Sequence, residues 1–128
     1  MENNYCLFCD RTNSKEHKII LENDFCFARW DNFPVSRGHA EIVPKSHINS
    51  FFDLSNDQLI QLYSLLREAK EVVQKEYNPD GYNIGINEGE AAGRTIHHLH
   101  IHLIPRYRGD IENPRGGIRN VIPNKGRY

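Results

Sequence analysis

The sequence predicts a single α+β domain in which one long helix packs on a largely antiparallel sheet. Three observations lead to this fold class. Apolar residues recur at helical spacing from Asn56 to about Tyr77. Short segments with the alternating or apolar character of strands flank that helix on both sides. The chain of 128 residues is long enough to bury one core without disulfide bonds, so we expect one domain.

Five strands are predicted, three before the helix and two after it. Each combines β-branched, aromatic or alternating residues with polar turn residues at its ends. Pro44 closes the third strand, and the loop before that strand contains Pro34 and Gly38. The five segments are residues 17–24, 25–30, 39–47, 82–89 and 98–105.

The helix has a clear start and a clear end in the sequence. Ser55 is a good N-cap, and Gln58 three residues later completes a capping box. Asn78, Pro79 and Gly81 end the helix. The apolar stripe predicted to face the sheet consists of Leu59, Leu62, Leu66, Ala69 and Val73, widened by Tyr63, Leu65 and Val72. We assign this helix to the core and give it no chemistry.

Composition and charge exclude several classes of protein. A net charge of −1 gives no electrostatic basis for DNA, RNA or an anionic membrane as the main partner. No apolar run reaches the length of a membrane span. The N-terminus lacks the basic and apolar regions of a signal peptide. We therefore expect a cytoplasmic protein with no nucleic-acid or membrane partner.

The three cysteines divide into a pair and a single residue. Cys6 and Cys9 form a C-x-x-C, which in a reducing compartment indicates half of a metal site or a redox pair, or two inert thiols. A structural zinc needs four ligands, so the pair alone does not decide between these alternatives. Cys26 lies in an aromatic strand and is interpreted as a buried core residue.

A row of histidines is the most unusual feature of the last strand. Because side chains alternate along a strand, His98, His100 and His102 share one face, with alternate Cα atoms about 6.6 Å apart. The apolar residues between them point to the core, and His97 falls off the histidine face. Three imidazoles in register are improbable on an ordinary solvent face, so the row indicates metal binding or nucleophilic and acid–base chemistry.

These residues resemble the histidine triad (HIT) family of nucleotide hydrolases and transferases. The family signature H-φ-H-φ-H-φ-φ is matched by HLHIHLI at residues 98–104. GHAEIVPKSHI resembles the family's G-H-x-x-V-x-P-K-x-H, and NEGEAAGRTIHHLHIHLIPR resembles the longer motif around the triad. CLFC resembles the C-x-F-C of a zinc-binding bacterial-type branch. The resemblance covers about residues 6–106.

The resemblance implies a HIT-like fold, with a five-stranded, mostly antiparallel sheet, one long helix and a short one. It also implies a homodimer, because two protomers of the family commonly join into one continuous sheet. Residues 1–106 correspond to the HIT domain. Residues 107–128 form a C-terminal tail, and such tails often border the active site.

The resemblance also assigns a mechanism. His100 corresponds to the family's nucleophile, which attacks the α-phosphorus of a nucleotide and forms a nucleotidyl-histidine that water then hydrolyses. A neutral imidazole is well suited to this attack, and flanking donors can stabilise the phosphate charge. His102 can donate to a phosphate oxygen or to the leaving group. His39 resembles a family histidine that supports this network.

Further positions correspond to substrate-binding residues of the family. Asn87 and Thr95 match positions that contact the phosphates or the leaving group. Asp31, eight residues before His39, matches a position that binds the ribose hydroxyls, although a turn-starting aspartate before Asn-Phe-Pro is an equally good interpretation of the sequence. The candidates for a purine-base pocket are Leu7, Phe8 and Phe27, for which ordinary core packing is an alternative.

In the zinc-binding branch, the C-x-x-C pair is completed by the histidine of P-K-x-H and by the first triad histidine. Those residues are His47 and His98 in this chain. The resemblance therefore favours a Cys₂His₂ zinc site formed by Cys6, Cys9, His47 and His98. A closed set of four protein ligands is structural rather than catalytic.

The chain departs from the family pattern at Arg94, where a glutamine is common. We hypothesise that this permanent cation contacts a polyphosphate or an anionic leaving group. Alternatively, it points to solvent or pairs with Glu88 or Glu90. The tail is rich in cations and could add contacts to a long phosphate chain, or it could dock on the surface as a solvated segment.

The favoured function is a HIT nucleotide hydrolase that acts on diadenosine polyphosphates or AMP phosphoramidates and releases a nucleoside monophosphate. A nucleotidyltransferase or phosphorylase differs only in the acceptor, which no residue decides. A nucleotide-binding regulatory module with little catalysis is disfavoured by the intact histidine row. A zinc-dependent DNA-binding module is disfavoured by the net charge and the absence of a paired finger motif.

Overall fold

The computed structural model describes residues 5–10 and 17–128. It shows an α+β fold with one five-stranded sheet in the order β1-β2-β3-β5-β4, in which every neighbouring pair is antiparallel. The strands are β1 (Ile19–Glu22), β2 (Cys26–Trp30), β3 (Ala40–Pro44), β4 (Gly81–Gly85) and β5 (Ile101–Arg106), and the long helix is α1 (Asn56–Tyr77). The short helical elements are the 3-10 helices Phe51–Asp53, Glu90–Ala92 and Gly117–Val121. The predicted fold class is confirmed.

Helix α1 begins and ends as its sequence predicts. The Ser55 side chain accepts from the backbone amide of Gln58, and the Gln58 side chain accepts from the backbone amide of Ser55, so the capping box is confirmed. Asn78 ends the helix in the left-handed conformation at φ 51°. No helix within residues 5–10 and 17–128 is long and apolar enough to cross a membrane.

The buried stripe of α1 is displaced from the predicted one. Its fully buried members are Leu62, Leu65, Ala69 and Val73. Leu59 and Tyr63 were predicted to face the core, but they are 40% and 57% exposed. At 100° per residue both lie on one flank of the buried stripe. The helix packs on β1, β2, β3 and β5, and Tyr63 lines an open groove between α1 and the edge strand β4.

Two predicted strand boundaries are wrong for one shared reason. The last strand was predicted to begin at His98, but regular pairing begins at Ile101, opposite Ile42. At the end of β3, the Pro44 carbonyl oxygen accepts a hydrogen bond from the His98 ring nitrogen Nε2 instead of from a backbone amide of β5. Because β5 starts late, β4 ends at Gly85, opposite His102, rather than extending through residue 89.

The two faces of the sheet carry different chemistry. The face under α1 holds the main apolar core, which includes Cys26, as predicted for that residue. On the opposite face, Phe8 from the N-terminal segment packs with Phe27 and Val43 as a second, smaller core. The predicted alternation is confirmed for the triad, because Leu99, Ile101 and Leu103 belong to the α1 side and the histidines between them face the other way.

Candidate active site and metal centre

The candidate active site lies on the sheet face that α1 leaves uncovered. Strand register places Arg29 on β2 opposite Glu41 on β3, and Glu41 opposite His102 on β5. These three side chains therefore form one row across the sheet. Phe27 and Val43 form the next row towards the start of β5. The site is thus assembled on the rigid centre of the sheet.

His100 is positioned by the backbone just before β5. Its Nδ1 lies 2.8 Å from the His98 carbonyl oxygen, which can only accept a hydrogen bond, so Nδ1 carries the proton. The lone pair is then on Nε2. Burial lowers the pKa of His100, and only 8% of the residue is exposed, so the ring is neutral at physiological pH. A neutral imidazole with a free Nε2 is the form that can attack phosphorus.

His39 and His102 form a hydrogen-bonded pair whose proton positions are set by the backbone. The Val35 amide donates to His39 Nδ1 at 3.2 Å, so the His39 proton is on Nε2. His39 Nε2 lies 2.9 Å from His102 Nδ1 and donates to it, with Asp31 Oδ2 nearby at 3.4 Å. The His102 proton is therefore on Nε2, which makes this atom a donor. Burial, followed by the neighbouring His100 and His39, lowers the pKa of His102 to about 4.

The ligand atoms of Asp31, His39 and His102 are close enough to surround a metal ion. The tautomers argue against that use. A metal at His39 would need the lone pair of Nε2, but the Val35 amide occupies the lone pair of Nδ1 and leaves the proton on Nε2. The three side chains therefore act as a hydrogen-bond chain that aims His102 as a donor.

Cys6, Cys9, His47 and His98 come together beside the histidine row. Their ligand atoms all lie within 4.8 Å of one another. Cys6 Sγ is 3.3 Å from His98 Nδ1, and Cys9 Sγ is 3.2 Å from His47 Nδ1 and 3.5 Å from His98 Nδ1. Ligand atoms around a tetrahedral zinc are separated by about 3.4–3.8 Å, from Zn–S near 2.3 Å and Zn–N near 2.1 Å. The four residues therefore fit a closed zinc site.

A second-layer hydrogen bond supports this fit. His98 Nε2 lies 2.8 Å from the Pro44 carbonyl oxygen and donates to it, which leaves the Nδ1 lone pair facing the two cysteines. Zinc-binding histidines commonly use their other ring nitrogen in this way. His98 is fully buried, so its orientation is fixed by the protein.

The loop between β4 and β5 carries the predicted phosphate-binding residues. Asn87 is half-buried in this loop, whereas Thr95 is exposed and lines a groove with Cys6, Leu7 and His47 on the metal side. Arg94 is half-buried, and its guanidinium donates to the Asn49 carbonyl oxygen at 2.7 Å and to Asn49 Oδ1 at 2.5 Å.

Neither acidic residue considered as a partner of Arg94 takes that role. Glu88 accepts from the Phe51 amide, and Glu90 lies 3.5 Å from His97. His97 is exposed, as expected for a residue off the histidine face. The charge of Arg94 contributes to lowering the pKa of His100, after burial, so Arg94 lies within electrostatic reach of the nucleophile.

The candidates for the base pocket differ in exposure. Phe8 and Phe27 have no exposed surface, and Leu7 is half-buried. The Phe8 ring makes edge contacts with the rings of His98 and His100 at 5.7 and 5.1 Å. In this arrangement Phe8 links the metal-binding segment to the nucleophile. In this structure, Phe8 and Phe27 offer no accessible surface to a base, whereas Leu7 does.

Sequence reasoning missed Arg29 and Glu41. Both are buried, and Arg29 Nη1 lies 3.2 Å from Glu41 Oε1. Burial, followed by the charge of Asp31, raises the pKa of Glu41 to about 7. Alternation could have identified the pair, because Arg29 stands two residues before Asp31 and Glu41 two residues after His39, which places all four on one face.

Comparisons with known proteins identify the family to which this chain belongs. The HIT domain model matches residues 12–109. An uncharacterized HIT-like protein of Methanocaldococcus jannaschii is 36% identical over 118 residues, which cover 91% of this chain and 91% of that protein. A bis(5'-adenosyl)-triphosphatase of Dictyostelium discoideum is 32% identical over 99 residues, covering 77% of this chain and 66% of that protein. The crystal structure of a Zn-bound histidine triad family protein from Mycobacterium smegmatis matches with a TM-score of 0.73 and 29% identity, covering 82% of this chain and 77% of the other. The chain therefore belongs to the HIT domain family.

Proposed function

We propose that the protein is a nucleotide hydrolase that cleaves at the α-phosphate through a covalent nucleotidyl-histidine. The observation that carries this proposal is the hydrogen bond from His100 Nδ1 to the His98 carbonyl oxygen at 2.8 Å, which leaves Nε2 free to attack. His100 Nε2 forms a bond to the α-phosphorus, and the bond to the leaving-group oxygen or nitrogen breaks. Water then attacks the same phosphorus, releasing a nucleoside monophosphate and restoring neutral His100.

His102 and His39 supply a fixed hydrogen-bond donor to the reacting phosphate, and the leaving group departs as an anion or takes its proton from water. The His102 Nε2–H donates to a phosphate oxygen or to the departing atom, because its Nδ1 is already an acceptor for His39. A donor that is pre-aligned in a buried site stabilises developing negative charge without reorganisation. His39 positions His102, and Asp31 stabilises the pair.

The substrate is a purine nucleotide of the diadenosine polyphosphate or AMP-phosphoramidate type. A related chain is a bis(5'-adenosyl)-triphosphatase, which favours the first type. Asp31 contacts the ribose, Asn87 and Thr95 contact the phosphates, and Arg94 faces the anionic leaving group. The base contact is assigned to Leu7, which is half-buried, and the buried rings of Phe8 and Phe27 would line the pocket from behind it.

The zinc site has a structural role in this proposal. Cys6, Cys9, His47 and His98 would hold Zn²⁺, and on this basis we assign the chain to the zinc-binding bacterial-type branch. The ion supplies no step of the reaction; it ties the N-terminal segment to the backbone that orients His100. The Zn-bound relative from Mycobacterium smegmatis is compatible with this assignment.

Assembly and location complete the proposal. The protein forms a homodimer in the cytoplasm, with β4 at the dimer-facing edge of the sheet. Ile84 on β4 is 53% exposed beside Tyr63, so this edge presents apolar surface to a second copy.

A substrate panel tests the function. We expect the purified chain to release AMP from diadenosine polyphosphates and from AMP phosphoramidates, and His100→Ala to lower kcat by at least about 10³-fold. Mass spectrometry of acid-quenched enzyme should detect an adenylylated chain in the wild type and none in His100→Ala. The matched control is His97→Ala, which removes the exposed neighbour and should retain activity. Full activity in His100→Ala would refute the mechanism, and phosphate-dependent formation of ADP would identify a phosphorylase instead.

A further inference from the structure

A buried ion pair lies under the reaction centre and has no part in the mechanism above. Arg29 and Glu41 are 2% and 4% exposed, and they are direct cross-strand partners on the catalytic face. Burying two charges costs more than packing apolar side chains of similar size at the same place. Their neighbours in the next row, Phe27 and Val43, show that this face can hold an apolar core. The position of the pair therefore needs a functional explanation.

The two oxygens of Glu41 have different surroundings. Oε1 is 3.2 Å from Arg29 Nη1, so this oxygen is committed to the ion pair. Oε2 faces the nucleophile, 4.0 Å from His100 Nε2. Arg29 is also held from the other side, with its guanidinium carbon 5.2 Å from the centre of the Phe8 ring. Arg29 thus fixes Glu41 in an orientation that presents Oε2 to the substrate site.

Glu41 also neighbours the proposed ribose-binding residue. Asp31 and Glu41 each have a carboxylate oxygen within 4.8 Å of a ring nitrogen of His102, so both carboxyls border this histidine. The charge of Asp31 also contributes, after burial, to raising the pKa of Glu41. Glu41 therefore lies between His100, which binds the α-phosphorus, and Asp31, which binds the sugar.

This placement determines which part of a nucleotide meets Glu41. The ribose connects the α-phosphate to the base, so a ribose that spans from His100 to Asp31 crosses the Glu41 carboxyl. The phosphate itself is an anion and is repelled by a carboxylate. The groups that suit Glu41 Oε2 are the hydroxyl donors of the sugar. Two carboxyls that border the same histidine can each accept a hydrogen bond from one of the two vicinal hydroxyls.

We propose that Glu41, held by Arg29, is a second ribose-binding carboxyl that makes the site selective for ribonucleotides over their deoxy analogues. This inference rests on the proposed function and names the sugar class that the site accepts. It assigns a specificity-determining role to two residues that the triad mechanism does not use. Asp31 takes one hydroxyl of the diol and Glu41 takes the other.

The test compares ribose and deoxyribose substrates on the full, zinc-loaded chain. We measure kcat/KM for adenosine 5'-phosphoramidate and its 2'-deoxy and 3'-deoxy analogues, and the Kd of AMP and of the two deoxy-AMPs by calorimetry. The wild type should prefer the ribose form to at least one deoxy form by about tenfold or more, because a site built to hydrogen-bond a hydroxyl rejects the analogue without it. In Glu41→Gln this preference should fall several-fold, because the acceptor loses its charge.

A double variant protects the test from a folding defect. Arg29→Met with Glu41→Leu replaces the pair by apolar side chains of similar size, so no unpaired buried charge is left. In this variant, the ratio of kcat/KM for the ribose substrate to that for the analogue without the hydroxyl bound by Glu41 should approach one. The matched control removes an exposed pair on the same sheet, Glu22→Gln with Lys45→Met, whose charged atoms lie 3.3 Å apart, and it should keep the wild-type preference.

Each outcome has one meaning. A wild type that binds and cleaves ribose and deoxyribose forms equally overturns the proposal, and so does a wild-type preference that persists in both Glu41 variants. A chain that neither binds AMP nor cleaves any nucleotide refutes the proposed function instead. A chain that binds AMP without cleaving it still tests the ribose contact through the Kd ratios.

Discussion

A hydrogen bond between His100 and His98 joins the proposed nucleophile to the proposed zinc site. His100 Nδ1 donates to the carbonyl oxygen of His98 at 2.8 Å, and the ring of the same His98 is a ligand of the proposed zinc site. The side chain of His98 thus faces the metal while its backbone sets the tautomer of the nucleophile. Phe8 reinforces this link, because its ring contacts the rings of both histidines.

Loss of the metal should therefore affect both stability and catalysis. In Cys9→Ser we expect zinc content to fall from about one ion per chain to well below one, and the free energy of unfolding to fall by at least about 2 kcal/mol. Metal analysis and urea denaturation measure the two quantities. The activity should fall through kcat, because His100 loses its fixed orientation while the residues assigned to the ribose stay in place.

The third cysteine provides the control for this prediction. Cys26 is buried on the α1 side of the sheet, away from the metal ligands, and burial raises the pKa of its thiol to about 12. Cys26→Ala should keep the zinc content of the wild type. Zinc retention by Cys9→Ser, or a wild type that binds no zinc when purified without chelator, would contradict the assignment.

Arg94 should govern the choice of leaving group. Of its five N–H groups, two donate to Asn49 within the described part of the chain, and these two hydrogen bonds hold the guanidinium in place. Arg94→Gln should lower kcat/KM for diadenosine polyphosphate about tenfold, and that for an AMP phosphoramidate much less, since only the first has an anionic leaving group. Steady-state assays of both substrates measure the ratio.

Asn49 makes the same prediction sharper. Asn49→Ala keeps the Arg94 cation but removes the side-chain oxygen that holds it. The ratio of kcat/KM for diadenosine polyphosphate to that for the AMP phosphoramidate should therefore fall, by a smaller factor than in Arg94→Gln. Arg67→Gln, on the exposed side of α1, removes an equal charge far from the site and serves as the control. If Arg94→Gln and Asn49→Ala both keep the wild-type ratio, Arg94 does not determine the selectivity for the leaving group.

The sequence was sufficient for the features that depend on backbone periodicity. The period of two along a strand placed His98, His100 and His102 on one face, and the period of 3.6 with a capping box placed α1 at Asn56–Tyr77. These patterns follow from local geometry and do not require the tertiary structure.

The features that the sequence did not predict depend on distant partners. The proton positions of the histidines are set by the Pro44 and His98 carbonyls and by the Val35 amide, and these groups come into contact only in the folded chain. Arg94 meets Asn49 across 45 residues. The flank of α1 that carries Tyr63 stays exposed because it borders an open groove between the helix and the edge strand β4.

Acid should destabilise the chain through the histidine pair. Burial lowers the pKa of His39, and that of His102 falls to about 4 from a usual value of 6.5. Between pH 6.5 and 4 the unfolded chain binds more protons than the folded chain, so the free energy of unfolding decreases as pH falls. For His102 the loss is at most about 3 kcal/mol over this range. Urea denaturation at pH 7.5, 6 and 5 measures it.

The decrease in the free energy of unfolding with falling pH is best compared between the wild type and a variant, because other groups titrate in the same pH range. The pKa of Glu41 is raised to about 7, so its contribution has the opposite sign: it stabilises the folded chain as pH falls from 7 towards 4.5. His102→Gln keeps an acceptor for His39 but cannot titrate. As pH falls, the free energy of unfolding of this variant should decrease less than that of the wild type. Equal slopes for the two chains would mean that His102 is not held neutral by the fold.

The 3-10 helix of the C-terminal tail packs against β4, and we predict that the tail affects long substrates. A methyl group added at Gly85, which pairs with His102 on the sheet, would lie 3.4 Å from Ile118 in the 3-10 helix of the tail. Within the tail, Arg115 and Arg119 stack on the ring of Tyr128 at 4.9 and 5.0 Å, so the cations form one cluster. Deleting residues 116–128 should raise KM for diadenosine polyphosphates several-fold, since the cluster attracts the distal phosphates.

Two variants separate charge from docking in this prediction. Arg115→Gln with Arg119→Gln removes the cations but keeps Ile118, and it should reproduce the rise in KM and weaken its dependence on salt, because screening acts only on charge. Ile118→Ala loosens the docking and leaves every charge. KM for an AMP phosphoramidate, which has no distal phosphates, is the internal control. A truncated chain with wild-type KM for both substrates would show that the tail only covers the surface beside β4.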